Sequence, residues 1–347
     1  MPKKDLRYYL TTINLKAQAA AYDLLDKWGC LEHLKKTNET YFSELYESSY
    51  NQFELSINPL FSTEYITYRY FSTTQHYARH LLFDTPNGII VTASGAWQEG
   101  VALCRSDLKP HYNPLIPAHL ALVCYNDFLI NKNEQALQMF WTQVNHLEKI
   151  GVAQNGLLLF YYDEGTWYAG ITQALIGSTF IRAYTLTHDE KWKKLAYQTI
   201  LSFFEPIENG GVFKKTPEGF EWIEEYPLSK KHPFVLNGFI FNLTSLYEYL
   251  ILCEKDELFS NHLIQLTETL FKTFHHFKRK KYFKYSRFNW VFQNIEYQGM
   301  MVCQFRHLYE LSLFEPFKTI ADLLDKDVDW AAFFRFYDMP PPQFHNV

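Results

Sequence analysis

The chain has few cysteines, no surplus of positive charge and no long uncharged apolar run. Its 347 residues hold five cysteines, Cys30, Cys104, Cys124, Cys253 and Cys303, odd in number and without close pairs. Such spacing excludes a disulfide scaffold and a zinc framework, and it suits a reducing compartment. No window approaches ~18 uncharged apolar residues, so no membrane span is expected. The basic start Met1-Pro2-Lys3-Lys4-Asp5-Leu6-Arg7 is followed by no apolar stretch of signal-peptide length, because Asp23, Asp26 and Lys27 interrupt what comes next. The expected location is therefore cytoplasmic, and the sequons Asn38-Glu39-Thr40 and Asn242-Leu243-Thr244 read as chance. A glycine-rich phosphate loop, a Gly-x-Ser-x-Gly elbow and a nucleotide motif are all missing. His111 and the His275-His276 pair lack metal-ligand spacing, so the reading calls for no metal and no cofactor. With a formal charge of −5, the chain is not a general nucleic-acid binder, and any anionic ligand must be met by a local basic patch.

What the chain has in abundance is aromatic rings, 18% of residues with 25 Tyr and 30 Phe. They fit either a thick core or a carbohydrate cleft, where rings lie against the apolar faces of sugars. An apolar helical pattern runs over residues 15–36. From about 50 to 97 the text changes to short Tyr/Phe/Ile-rich runs, with Pro86-Asn87-Gly88 as a hairpin turn. After Pro114 helix pairs recur at intervals of about 50 to 65 residues. Their turns are Asn131-Lys132-Asn133-Glu134, Thr187-His188-Asp189-Glu190, Glu254-Lys255-Asp256-Glu257 and Ser312-Leu313-Phe314-Glu315. In the second turn Thr187 and Glu190 have the spacing of a capping box. Strand-like pieces at 157–162, 211–226 and 282–295 lie between the pairs. The pattern predicts a mainly α fold, an α/α toroid built as an incomplete barrel of helical hairpins with short β-hairpins at one end. A mixed N-terminal extension over 1–100 would precede a toroid domain over 101–347.

Two places concentrate chemistry. Trp222-Ile223-Glu224-Glu225-Tyr226-Pro227 puts two carboxylates and a phenol at the end of a strand, just before Pro233-Phe234-Val235-Leu236-Asn237-Gly238-Phe239 starts an apolar helix. Polar groups in aromatic surroundings at such a junction point to a site rather than to a core. The segment Lys278-Arg279-Lys280-Lys281-Tyr282-Phe283-Lys284-Tyr285-Ser286-Arg287 packs six cations and two phenols into ten residues. Strand alternation would place Lys281, Phe283, Tyr285 and Arg287 on one face and Tyr282 with Lys284 on the other. A phenol has an unperturbed pKa of roughly 10, and a neighbouring cation would lower it enough to make a usable base. His119, Gln173, Asn237 and Gln304 each fall near the start of an expected inner helix and could line one cleft. Arg182 sits mid-helix, where it is expected to pair with a carboxylate that holds helices together.

Glu224-Glu225-Tyr226-Pro227 and Val235-Leu236-Asn237-Gly238-Phe239 resemble the signature of the C-terminal catalytic domain of glucuronyl C5-epimerases. The resemblance extends to Tyr112-Asn113-Pro114, to Trp167-Tyr168-Ala169-Gly170-Ile171-Thr172-Gln173-Ala174 and Arg182-Ala183-Tyr184, and to Tyr297 with Gln304. It spans roughly residues 110–325. It implies the same toroid and an isomerase that converts D-glucuronate to L-iduronate within heparosan and heparan chains. In that family a Tyr followed closely by Arg stands on the strand after the third helix pair; Tyr285, or else Tyr282, falls there. Tyr297 is then the second phenol, Tyr226 the third, and Glu225 the carboxylate beside it. Arg287, Lys284, Tyr282, Asn237, Gln173, His119 and Gln304 would contact an anionic glucuronate-containing polysaccharide, and a homodimer is left open.

The chain also departs from the pattern. Gln298-Gly299-Met300-Met301-Val302-Cys303-Gln304 follows Tyr297 where a His-containing stretch is usual, Asn294 replaces a basic residue, and His119 replaces a Gln. Two alternatives therefore stand beside the epimerase reading: a uronate polysaccharide lyase on the same fold, and a degenerate carbohydrate-binding member. A glycoside hydrolase would need two carboxylates across a bond, with Glu164, Glu224 and Glu225 as candidates.

Overall fold

The computed structural model describes residues 32–49, short strands between 97 and 111, and residues 113–162, 167–229, 233–278, 283–288 and 295–328, with a few isolated positions besides. The expected helical pattern over 15–36, the irregular section over 50–97 and the turn at Pro86-Asn87-Gly88 fall largely or wholly outside these residues. Nine helices are described: α1 (Glu32–Glu47), α2 (Leu115–Asn131), α3 (Glu134–Ile150), α4 (Gly170–Thr187), α5 (Glu190–Leu201), α6 (Leu236–Leu252), α7 (Glu257–Thr273), α8 (Ile295–Ser312) and α9 (Glu315–Asp325). Four antiparallel strand pairs join them: β1 (Trp97–Gln98) with β2 (Val101–Ala102), β3 (Cys104–Ser106) with β4 (Lys109–His111), β5 (Val152–Gln154) with β6 (Leu157–Leu159), and β7 (Phe213–Lys215) with β8 (Glu221–Ile223).

Residue patterning sorts the helices into two layers. α4 is buried without interruption from Gly170 to Ala183, and α6 from Leu236 to Leu250. A helix apolar on every side has to be covered on every side. α3, α5, α7 and α9 bury one stripe each, such as Phe140, Val144 and Leu147 of α3, and present charged residues elsewhere. The inner helices α2, α4, α6 and α8 pack side by side in sequence, and α3, α5 and α9 lie against α2, α4 and α8. α7 backs α6, and α1 packs on α7 and on the 3-10 turn over 274–276. This is the α/α toroid that the repeat predicted.

The turns of the helix pairs share a device. Lys132, His188 and Leu313 each adopt a left-handed backbone at the end of an inner helix, with φ of 52, 53 and 56°. In each case the backbone N–H returns to a carbonyl four residues back, Phe128, Tyr184 or Tyr309. That closes the helix and reverses the chain. The return helices α3, α5 and α7 then begin on Asn133, Asp189 and Asp256, whose side chains accept from backbone N–H groups. The capping box expected from Thr187 is corrected here. Asp189 is the cap, its Oδ1 accepting from Lys191 N at 2.9 Å, while Thr187 Oγ1 donates back to Ala183 O at 2.8 Å. Asp189 stands two residues nearer the helix, at the cap position itself, so its carboxylate reaches the free N–H and Thr187 does not.

Most rings fill the core. Trp222 is fully buried, stacked on Phe239 at 4.1 Å and parallel to Phe277 at 6.0 Å. It fixes β8 against the start of α6 and the end of the segment that follows α7. The buried Arg182 pairs with Glu248 through two 2.8 Å bonds, joining α4 to α6 as its mid-helix position led us to expect. The expected third strand-like piece, over 282–295, is not a regular strand where it is described. It consists of bends and two isolated bridges, Lys278 with Phe283 and Val235 with Ser286.

Candidate active site

Glu224 builds the corner on which the site rests. It is fully buried. One carboxylate oxygen accepts from the N–H groups of Glu225 (2.9 Å) and Tyr226 (3.3 Å), and the other accepts from Phe234 N (3.0 Å). Burial raises its pKa and these three donors pull it down, the net shift being upward. The carboxylate thus ties the end of β8 to the segment before α6, where Phe234 is held at φ 54°. Phe234 sits edge-on to Trp222 at 5.5 Å and to Phe288 at 5.6 Å, so the unfavourable backbone is fixed by packing as well as by the bond to Glu224. Segment 233–236 then pairs with 285–287: Leu236 N donates to Tyr285 O at 3.3 Å, and Arg287 N to Pro233 O at 2.9 Å. Two stretches about fifty residues apart are thereby laid together.

Their meeting produces a carboxylate–phenol cluster. Tyr285 Oη donates to Glu225 Oε1 at 2.9 Å, and Tyr226 Oη lies 3.2 Å from Tyr285 Oη. Glu225 is 8% exposed and Tyr226 is 40% exposed, so the cluster runs from the interior to an open surface. Burial pushes the Glu225 carboxyl up to about 7 against the opposing hydrogen bonds from Tyr226 and Tyr285. Near neutral pH it therefore both accepts and gives a proton. Glu225 Oε2 lies against the first turn of α6, where a Cβ on Gly238 would come within 2.5 Å of it. A residue larger than glycine would displace the carboxylate. Among the described residues, Glu225 Oε2, Asn237 Oδ1 and Gln304 Oε1 are buried with no hydrogen-bond partner.

The other expected site residues divide. Asn237 is the second residue of α6, and its carbonyl accepts from Gln304 Nε2 at 3.1 Å, so these two adjoin the cluster. Gln304 lies midway along α8 rather than near its start. His119 is buried beside Phe241, and burial lowers its pKa to about 4, so it is a neutral ring at ordinary pH. Gln173 does not line a cleft. It is fully buried, its oxygen accepting from Phe160 N at 3.1 Å and its nitrogen donating to Leu158 O at 3.0 Å and Ser202 Oγ at 2.7 Å. All its capacity holds the β6 hairpin to the helices, so it belongs to the packing. Tyr282 and Glu164 lie outside the described residues. Tyr297 falls in the first turn of α8, and its side chain is outside them as well.

The basic segment departs from strand alternation. Lys284 and Arg287, expected on opposite faces, line one pocket together, and Tyr285 turns away from both toward Glu225. The reason is the bend at 285–287, where Lys284 Nζ donates to Arg287 O at 2.8 Å. Arg287 pairs in a two-pronged contact with Glu218, one prong at 2.7 Å. Glu218 was missed by sequence reasoning. Its position in the turn Thr216-Pro217-Glu218-Gly219 between β7 and β8 is the signal that could have found it. Among the described residues no cluster of three or more His, Cys, Asp or Glu side chains could hold a metal, and no helix is long and apolar enough to cross a membrane.

An α/α toroid with a buried carboxylate and two phenols at one end of its inner helices is a class of scaffold that many carbohydrate-active reactions use. The particular family follows from residues 158–325, which match the family model for the D-glucuronyl C5-epimerase C-terminus. That segment, which contains Glu225, Tyr226, Tyr285 and Tyr297, makes up just under half of the chain and is what the chain shares with this family. The match begins after Tyr112-Asn113-Pro114, so that part of the resemblance lies upstream of it. The D-glucuronyl C5-epimerase of Caenorhabditis elegans is 35% identical over 95 residues, 26% of this chain and 15% of that protein. The chain thus matches only a small part of that relative's length. Among solved structures, the cellobiose 2-epimerase of Spirochaeta thermophila is 13% identical with a TM-score of 0.47, covering 85% of each chain. The cellobiose 2-epimerase of Bacillus thermoamylovorans is 11% identical with a TM-score of 0.46, covering 74% of this chain and 73% of the other. An unsaturated glucuronyl hydrolase of Streptococcus agalactiae is 11% identical with a TM-score of 0.47, covering 77% of this chain and 80% of the other.

Proposed function

We propose that the protein epimerises C5 of D-glucuronate units to L-iduronate in a heparosan- or heparan-type polysaccharide, by proton abstraction and return through tyrosines and without a cofactor. The observation that carries this reading is the Tyr285 hydroxyl held 2.9 Å from a Glu225 carboxyl whose pKa is pushed up to about 7. Glu225 Oε1 takes the Tyr285 proton and leaves a phenolate. A phenolate oxygen then removes the proton from C5, and the electron pair of the broken C–H bond spreads into the adjoining uronate carboxylate. A second phenol returns a proton to the opposite face of C5. Tyr226, 3.2 Å from Tyr285, and Tyr297 at the start of α8 supply the further hydroxyls. The cycle leaves the composition of the substrate unchanged. The charge that develops on the carboxylate needs donors, and Asn237 and Gln304 adjoin the cluster to meet it and the sugar hydroxyls, while Arg287 and Lys284 stand in the pocket alongside, within reach of the polymer's other carboxylates.

Glu224 and Glu225 do not form a hydrolase pair, because Glu224 is fully buried and bound to three backbone N–H groups and so cannot face Glu225 across a glycosidic bond. The thiols of Cys124 and Cys253 suit a reducing, cytoplasmic setting. The test is proton NMR of heparosan incubated with the protein in deuterated water. Deuterium at C5 together with iduronate signals is expected. Vinylic signals of a 4,5-unsaturated uronate would instead make it a lyase, and an unchanged spectrum would make it a binder.

A further inference from the structure

A pocket of about 380 Å³ lies beside the catalytic cluster and is not explained by it. Its walls come from two parts of the chain: Lys35 and Lys36 of α1, and Lys284, Arg287, Phe288 and His276 of the body. α1 precedes the family match at 158–325, so half of this pocket is a feature of this chain beyond the matched domain. Glu32 and Glu39 also line it, Glu32 accepting from Lys35 Nζ at 3.2 Å. Lys36 has no ion-pair partner among the described residues. Phe288 is 46% exposed and lies 5.1 Å from the Arg287 guanidinium, which gives the pocket an aromatic wall beside its cations.

The occupant of the Arg287 fork is informative. Glu218 meets it with both carboxylate oxygens, from the tip of the β7–β8 turn, and the same carboxylate stands 3.4 Å from His276 Nε2. The planar guanidinium is thus already matched to a planar carboxylate. Glu218 is 37% exposed, and it is held by side-chain contacts that another carboxylate could replace.

We propose that this pocket is a second subsite for the carboxylate of a uronate unit adjoining the one that reacts, and that Glu218 is the internal carboxylate which that ligand displaces. The proposal rests on the epimerase reading for the identity of the polymer, but its test does not use turnover. Binding of a heparosan-type hexasaccharide is measured by calorimetry for the intact protein, for Glu218→Gln and for Lys36→Glu. Glu218→Gln removes the competing charge and should tighten binding roughly threefold to tenfold, the scale of a partly exposed two-pronged pair. Lys36→Glu, an exposed change that leaves the fold alone, should weaken binding severalfold. A hexasaccharide whose carboxylates are reduced to alcohols should respond to neither change, and inorganic sulfate should not compete at millimolar concentration. Unchanged or weaker binding by Glu218→Gln together with unchanged binding by Lys36→Glu would overturn the subsite. Sulfate competing as well as glucuronate would overturn its assignment to a carboxylate. If C5 exchange is absent in the intact protein while these binding changes appear, the epimerase reading fails and the subsite stands.

Discussion

At Glu225 two opposing demands meet in one side chain. Burial drives its carboxyl up to about 7, while the hydroxyls of Tyr285 and Tyr226 favour its ionised form. A pKa raised from 4.5 means that the folded protein holds a proton which the unfolded chain has released, so stability falls as pH rises between 4.5 and about 7. A shift of that size corresponds to about 3 kcal/mol at most. Glu225→Gln should therefore abolish C5 exchange and yet raise the melting temperature at pH 8 relative to the intact protein, with little difference at pH 4.5. Thermal melts at the two pH values check this, and an equal effect at both would remove the pKa assignment. Tyr285→Phe deletes one oxygen and should lower exchange at least a hundredfold without a change in fold by circular dichroism; retained exchange would exclude it from the relay. Gly238→Ala tests the same carboxylate from the other side. The added methyl would stand 2.5 Å from Glu225 Oε2, while alanine is the better helix former by about 1 kcal/mol. We expect exchange to fall tenfold or more while the melting temperature changes little.

Among the elements, the helix pairs were legible because α2, α4 and α6 are predominantly apolar, each outer helix buries one stripe, and each link is short. The caps were less legible. Thr187 and Asp189 both offer an oxygen near the start of α5, and only the left-handed turn at His188 decides that Asp189 reaches Lys191 N. Asp189→Ala should cost about 1 kcal/mol in urea unfolding, and Thr187→Ala clearly less; the reverse order would restore the capping box. The site shows the same division. Glu225 and Tyr226 were legible as a motif at a strand end, and Tyr285 as a phenol in a basic run. The turn of Arg287 away from Tyr285 was not legible, because alternation holds only on a paired strand, and here the chain bends at 285–287 to follow segment 233–236. Gln173 was misplaced for a related reason: a polar residue near a helix start reads the same whether it faces a cleft or a neighbouring hairpin carbonyl.

For the whole molecule, the inner helices are joined by charge as well as by packing. Glu248 of α6 binds Arg182 of α4 through both oxygens, and His307 Nε2 of α8 lies 3.8 Å from Glu248 Oε1. His307 Nδ1 lies 3.9 Å from Glu310 Oε2. Burial alone would raise the pKa of Glu248, but Arg182 and His307 outweigh it and bring it down to about 2. Burial likewise works against the charged form of His307, but Glu248 and Glu310 prevail and its pKa is raised above 6.5. The three helices thus share a buried cation–anion–cation row whose members would be costly to leave alone, since breaking a buried pair costs about 3–5 kcal/mol. The two groups act in different pH ranges. The Glu248 contribution is present above pH 4.5 and is lost only as pH falls through about 2. The His307 contribution is fully present below pH 6.5 and is lost as pH rises through its folded pKa. The melting temperature should therefore decline with rising pH above 6.5, in addition to the earlier decline that Glu225 causes. His307→Gln should remove the upper part of that decline and leave the lower part, while Glu225→Gln does the opposite. Glu248→Gln, which strands Arg182 in the core, should lower stability at every pH between 5 and 8 by several kcal/mol. Melts of the three variants across that range check the assignment, and a His307→Gln curve parallel to that of the intact protein above pH 6.5 would show that the ring carries no charge between α6 and α8.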